Sequence, residues 1–446
     1  MMRGIGDIAK QFQQGAKSRD LVEECLARID DPSGEGSRVF LKVHAEPARV
    51  AADYYDRLRA HGQAPLPFAG VPVSIKDLFD IAGDVTTAGS TVLRDASPAA
   101  QDALSVARLR AAGFIPVGRT NMTEFAFSGL GLNPHYGTPA NAYDRDAGRI
   151  PGGSSSGAAV SVTDGMAYAG LGTDTGGSCR IPAALCGIVG FKPTAHRVPT
   201  QGAFPLSTSL DSIGPIAPTV RCCAILDAVL AGEPIVELPD FPLGGLRLAV
   251  PQTMVLDGVS SEVARAFEAA LAALRKAGAK VVDLPLRELS ELGQINAKGG
   301  PAAAESYAAH RSLIAKGAAM YDPRALVRIL RGKEQDAADY IDLLEARRDF
   351  IRRVAAITVP FDALAMPTTP ITAPRIADLE SDDAYRHVNA AMLRNPSVAN
   401  FLDRCSISIP CHRAGDAPVG LMLTGDHGAD RKLLAIAAAV EKVVSP

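Results

Sequence analysis

Residues 170–187 read GLGTDTGGSCRIPAALCG. Glycines and hydroxyl side chains crowd around Ser178, and the stretch holds no histidine. A nucleophilic Ser178 would therefore need another group to take its proton. Gly176 and Gly177 lack a Cβ, which lets the backbone turn until consecutive N–H groups point at one spot, as a developing oxyanion requires. A donor placed in this way contributes on the order of 3 kcal/mol to transition-state stabilisation.

Upstream, the segment GVPVSIKDLFD (70–80) alternates Val71, Val73 and Ile75 with Pro72, Ser74 and Lys76, the period of a β-strand. A lysine at the end of an apolar strand is usually solvated and structural, yet one held among apolar neighbours can lose its charge, because burial disfavours the ammonium. A neutral Lys76 can deprotonate one serine, which in turn deprotonates Ser178, so the missing histidine is not needed. Between the two lies GGSSSG (152–157), with Ser154, Ser155 and Ser156. It lacks the GK[ST] of a phosphate-binding P-loop. Residues 153–157 do match G-x-S-x-G and nominate Ser155 as a nucleophile elbow, but that elbow needs a strand directly before the serine. The preceding DRDAGRIPG is polar and rich in Gly and Pro, which argues against it.

Around these segments, helical and strand-like stretches alternate. DALSVARLRAAG (102–113) has helical spacing and FIPVGR (114–119) reads as a strand; GLRLAVPQ, SSEVARAFEAALAALRKAG and AKVVDLPL (245–286) repeat the order. Residues 5–30 and 46–61 also have helical spacing, with Ser18 as N-cap of RDLVEECLARI. Residues 128–157 are rich in Gly, Pro, Asn and Ser and predict a long loop, of the kind that usually carries function. FDALAMPTTP (361–370) and SISIPCHRAGDAPVGLMLTG (406–425) read as returning strands. The expected fold is α/β, one large domain over residues 1–446, with a central mixed sheet covered by helices on both faces. A mainly helical insertion is expected at about 286–358.

Composition narrows the function. In 446 residues, 46 basic and 49 acidic side chains leave a formal charge of -3, so no basic field recruits nucleic acid. The seven cysteines (25, 179, 186, 222, 223, 405 and 411) include no C-x2-C pair and read as reduced thiols of a cytoplasmic protein rather than zinc ligands. No apolar run approaches the roughly 18 residues of a membrane helix, and the N-terminus reads as an amphipathic helix without a signal-peptide core. His135 and His196 stand alone and read as structural, Cys179 as a small buried hydrophobe, and residues 325–353 as a charged amphipathic face. No metal or cofactor is expected.

In this order, GVPVSIKD, GGSSSG and GLGTDTGGSCRIPAALCGIVGFKPT resemble the motifs of the amidase signature family, with further similarity in GRTNMTEFA (118–126) and PVGLMLTG (418–425). The gaps, 154 − 76 = 78 and 178 − 154 = 24, are typical of that family. The resemblance implies that Ser178 is the acylated nucleophile, Ser154 the bridging serine after a cis peptide bond, and Lys76 the base. It implies an oxyanion hole of the Thr175, Gly176, Gly177 and Ser178 amides, with Ser155, Asp174 and Arg180 supporting the site. The implied activity is cleavage of a small-molecule carboxamide to carboxylic acid plus ammonia or amine through an acyl-serine. The alternative is the glutaminase component (the A subunit) of a glutamyl-tRNA amidotransferase, releasing ammonia from glutamine for a partner protein. A catalytically silent binding protein on this fold is disfavoured by retention of all three triad residues. Homodimerisation is a further expectation of the resemblance.

Overall fold

The computed structural model describes residues 3–64 and 66–445; Met1 and Met2 of the N-terminal stretch lie outside the described residues. Eleven strands form one mixed sheet: β1 (Phe40–Val43), β2 (Pro72–Lys76), β3 (Ile115–Thr120), β4 (Gly170–Asp174), β5 (Val189–Lys192), β6 (Ser212–Ala217), β7 (Arg247–Pro251), β8 (Lys280–Leu284), β9 (Ala363–Pro367), β10 (Ser406–Pro410) and β11 (Gly420–Thr424). Their order is β1-β3-β2-β4-β6-β5-β10-β11-β9-β7-β8. β2 runs parallel to both β3 and β4, and β7 parallel to β8 and β9; the remaining pairs are antiparallel.

Helices cover both faces, so the side chains of a central strand are buried whichever way they point. Val71, Val73 and Ile75 enter one core together with Ile8, Leu226, Phe267 and Leu433. Ile115 and Val117 enter a second, with Val22, Ala159 and Val160. Because successive strand residues point to opposite faces, Ser74 and Lys76 project away from Val73 and Ile75. Ser74 meets Ser161 of the helix Ser156–Thr163, with 2.8 Å between hydroxyl oxygens. Lys76 is thus driven into the interior by the same alternation that makes the strand amphipathic in sequence.

Two local expectations change. The helical pattern over 5–30 is two helices, Ile5–Gln13 and Ser18–Ile29. Ser18 is not the N-cap but the first helical residue, after Lys17. The Asp56 carboxylate, from the helix Ala45–Ala60, accepts the Ser18 and Arg19 amides at 2.7 and 3.0 Å. A distant carboxylate replaces the local hydroxyl in satisfying the orphan N–H groups of this helix start. Residues 128–157 are loop apart from a 3-10 turn at Arg145–Ala147 and the first turn of the helix Ser156–Thr163. The segment between β8 and β9 is mainly helical, with Gly300–Gly317, Pro323–Leu330 and Ala337–Thr358 its longer helices.

Candidate active site

The parallel strands β2 and β4 end side by side, and open α/β sheets bind ligands beyond the carboxyl ends of such strands. Lys76 closes β2, and its side chain is fully buried. Its Nζ donates to Ser154 Oγ at 2.7 Å and to Thr173 Oγ1 of β4 at 2.8 Å. Burial pushes the Lys76 pKa down to about 7, against the opposing pull of Cys179, Asp174 and Asp211. Burial thus favours the neutral amine, which keeps a lone pair for an adjacent hydroxyl.

Ser154 follows a cis peptide bond from Gly153. Ser155 precedes the helix Ser156–Thr163, with its amide on Ser178 O at 3.4 Å and its hydroxyl on Thr173 O at 3.4 Å. No strand leads into Ser155, in keeping with the argument against a nucleophile elbow. Gly172 packs closely here: a Cβ on it would lie 2.9 Å from Ser155 Oγ and 3.0 Å from Cys179 Sγ, so those side chains would have to shift.

Ser178 sits in the turn between β4 and the helix Arg180–Cys186 and lines a cavity of about 340 Å³. Among the described residues no hydrogen bond joins its hydroxyl to Ser154; the two loops are tied through Ser155 instead. The turn is built around Asp174. Its carboxylate accepts the amides of Gly177 (2.8 Å) and Cys179 (3.1 Å), and Arg180 pairs with it through Nε (3.0 Å) and Nη2 (2.8 Å). Burial opposes the Asp174 charge, but Arg180 outweighs it and brings the pKa to about 2. The amides of Thr175, Gly176 and Ser178 find no acceptor among the described residues, whereas that of Gly177 is committed to Asp174. Gly177 has φ 128°, and a Cβ on it would lie 2.6 Å from Pro396 Cβ.

Four further side chains carry no mark in the sequence. Thr173 orients the Lys76 amine. Asn400, on the helix Asp382–Phe401, donates to Asp174 and accepts from Arg180 at 2.7 Å. Asp211 accepts the Thr175 hydroxyl, and burial raises its pKa to about 6. Lys192, at the end of β5, is a second fully buried lysine, lowered by burial to about 8 and bonded to Pro193 O and Ser212. Thr173 stands in the quoted stretch, and only strand alternation opposite Lys76 could single it out. Lys192 stands in the quoted GLGTDTGGSCRIPAALCGIVGFKPT segment, where nothing local marks it as buried; Asp211 and Asn400 lie outside the quoted segments and leave no local signal.

The bland readings also have locations. His135 bonds the buried Glu124 carboxylate at 2.8 Å, and His196 lies exposed in a turn at φ 66°. Burial pushes the Cys179 thiol up, and all seven cysteines are free and buried. Among the described residues no group of His, Cys, Asp and Glu is placed to hold a metal ion, and no helix is long and apolar enough to cross a membrane.

Comparison with known proteins shows the family and the fold. The chain is 37% identical, over 89% of its length and 86% of the relative's, to a 2-amino-5-chloromuconic acid deaminase of Comamonas testosteroni. It is 35% identical to the A subunit of the glutamyl-tRNA(Gln) amidotransferase of Roseiflexus sp. (strain RS-1), covering 98% and 96% of the two chains. Among solved structures, an amidase superposes with TM-score 0.90 at 30% identity over 99% of this chain and 100% of that one. The peptide amidase of Stenotrophomonas maltophilia superposes with TM-score 0.80 at 28% identity, covering 99% and 96%. Residues 20–434 match the Amidase family, and the chain belongs to that family of carbon–nitrogen bond hydrolases.

Proposed function

We propose that the protein hydrolyses a small-molecule carboxamide through an acyl intermediate on Ser178, with Lys76 as base and Ser154 as the bridge between them. The observation that carries this reading is the fully buried Lys76 amine at 2.7 Å from the Ser154 hydroxyl. In its neutral form, Nζ keeps its donation to Thr173 and accepts the Ser154 proton. Ser154 accepts the proton of Ser178, whose Oγ attacks the amide carbonyl. The Thr175, Gly176 and Ser178 amides receive the oxyanion, while Asp174 holds the Gly177 amide and, through Arg180 and Asn400, the shape of the turn. Collapse of the tetrahedral intermediate breaks the C–N bond, and the proton held on Lys76 returns through Ser154 to the leaving nitrogen. Water then attacks the acyl-serine, activated by the same relay, and releases the carboxylic acid.

A second reading is favoured by the near-full-length similarity to the glutaminase components of amidotransferases. In it the same chemistry releases ammonia from glutamine for a partner protein. Ammonia release from a panel of simple amides, measured on the isolated chain without ATP or partner proteins, separates the two. The hydrolase reading expects turnover, and a fall on the order of 10⁴-fold or more in Ser178→Ala. Turnover surviving in Ser178→Ala would contradict both. The seven reduced, buried thiols support a cytoplasmic location. A homodimer and independence from nucleic acid go with the hydrolase reading, and sedimentation of the isolated chain tests the first.

A further inference from the structure

The cavity in front of Ser178 is walled mainly by apolar side chains, and among the described residues the only charged groups lining it are Arg328 and Arg394. They come from separate helices, Pro323–Leu330 and Asp382–Phe401. Both are half-buried. Arg328 Nη1 donates to Phe127 O at 2.7 Å, and the guanidinium lies 4.7 Å over the centroid of the Phe127 ring. Arg394 donates to Asn395 Oδ1 at 3.1 Å and to Val255 O at 3.4 Å. Neither forms an ion pair among the described residues, although Arg324, one turn before Arg328, pairs with Asp382 at 2.9 Å. Burial lowers the pKa of both groups. Tyr385 favours the Arg328 charge and Arg331 opposes it; Asp257 favours that of Arg394 from beyond ion-pair distance.

Two half-buried guanidinium groups without a carboxylate incur a partial desolvation cost that an anionic ligand would offset. Arginine also presents a fork of donors that matches a carboxylate in two-point geometry. Position adds to the argument. Ser397, on the same helix as Arg394, donates to Gly176 O at 3.4 Å. Arg394 lies three residues earlier, roughly 4.5 Å along the helix axis. An anion bound there and an amide carbonyl at Ser178 would share one cavity.

We propose that the amide substrate carries a carboxylate, which Arg328 and Arg394 bind while the amide carbonyl lies at Ser178. This rests on the amide-hydrolase reading for its chemistry, and it holds whether the ammonia is lost or handed on. Cationic amides are disfavoured by the same two charges.

The test pairs the monoamides of C4 to C6 dicarboxylic acids with neutral aliphatic amides of equal length and follows ammonia release. The wild-type enzyme should favour the acids by about 100-fold or more in kcat/KM, a factor of about 10 or more from each guanidinium. Arg328→Met and Arg394→Met should each shrink that ratio by about 10- to 100-fold, the range of one charge-assisted hydrogen bond, mainly through KM. Arg328→Lys, which keeps the charge without the fork, should retain part of the preference. Binding is read separately by calorimetric titration of the Ser178→Ala protein with glutaramic acid and with glutaramide. Tighter binding of the acid, weakened by salt and lost on adding Arg394→Met, is expected. Hydrolysis of neutral amides as readily as acids, a ratio unchanged in both Met variants, or equal binding of the two probes would overturn the carboxylate site and leave the hydrolase reading standing. Salt-sensitive binding of glutaramic acid by a wild-type enzyme that releases ammonia from no amide would do the reverse.

Discussion

Among the described residues the Lys76 amine has two hydroxyl partners and no carboxylate in contact, so the more distant Asp174 and Asp211 only partly offset the loss of water around a charged form. With a pKa near 7 and the free base as the active form, kcat/KM should rise with pH through a limb centred near 7 and level off above it. Lys76→Ala should lower kcat/KM by about 10²- to 10⁴-fold and abolish the limb, as a pH–rate series would show. Thr173 is a positioning residue. Its hydroxyl accepts from Nζ and so favours the ammonium; Thr173→Val should shift the limb to lower pH while reducing kcat. A purely structural role would leave the limb where it is. Asp174 works in the opposite electrostatic sense. Its pKa of about 2 lies below the roughly 3.9 of an unfolded chain, so its stabilisation is complete above about pH 4 and is lost as pH falls through about 2. Asp174→Asn leaves Arg180 a buried cation without its counter-charge, and should cost about 3 to 5 kcal/mol in urea unfolding at pH 7.

At the level of elements, strands are legible where β-branched residues alternate and obscure where they do not. Val71, Val73 and Ile75 announce β2, but β4 (GLGTD) and β6 (SIGPIA) contain glycine and proline, which ordinary strand preferences exclude. Close packing requires them: a Cβ on Gly214 in β6 would lie 2.1 Å from Phe191 O. The strand that delivers Ser178 is therefore the one that local preference conceals, and motif order locates the serine without revealing the strand. The start of the helix Ser18–Ile29 is obscure for a related reason, since a capping carboxylate from another helix leaves no local pattern. Asp56→Ala should destabilise the protein by about 0.5 to 2 kcal/mol, whereas Ser18→Ala should cost less; thermal melts of the two variants make the comparison. In the turn after β4, Gly177→Ala combines positive φ with a clash against Pro396, and should impair folding or turnover more than Gly176→Ala, whose added Cβ would come no closer than 3.2 Å to Ser397 Oγ.

On the scale of the whole molecule, one sheet joins parts of the chain that meet only when folded. The lysine comes from residue 76, the serines from 154 and 178, and the cavity walls from the helices around 328 and 394. The segments carrying Lys76, Ser154 and Ser178 can be read from local sequence because their chemistry imposes short patterns of small residues. The walls cannot, because a half-buried arginine without a carboxylate partner looks in sequence like any solvated arginine on a helix face. The same division explains why the reaction class is accessible from sequence while Arg328 and Arg394 emerge only from the fold. The most direct measurement is labelling of the active enzyme with a fluorophosphonate, which reacts with an activated serine hydroxyl whichever step limits turnover, followed by peptide mapping by mass spectrometry. A single adduct on Ser178, formed in step with loss of amide hydrolysis and much more slowly in Lys76→Ala, is the predicted result. Inactivation through an adduct on any other residue, or full activity with Ser178 labelled, would contradict it.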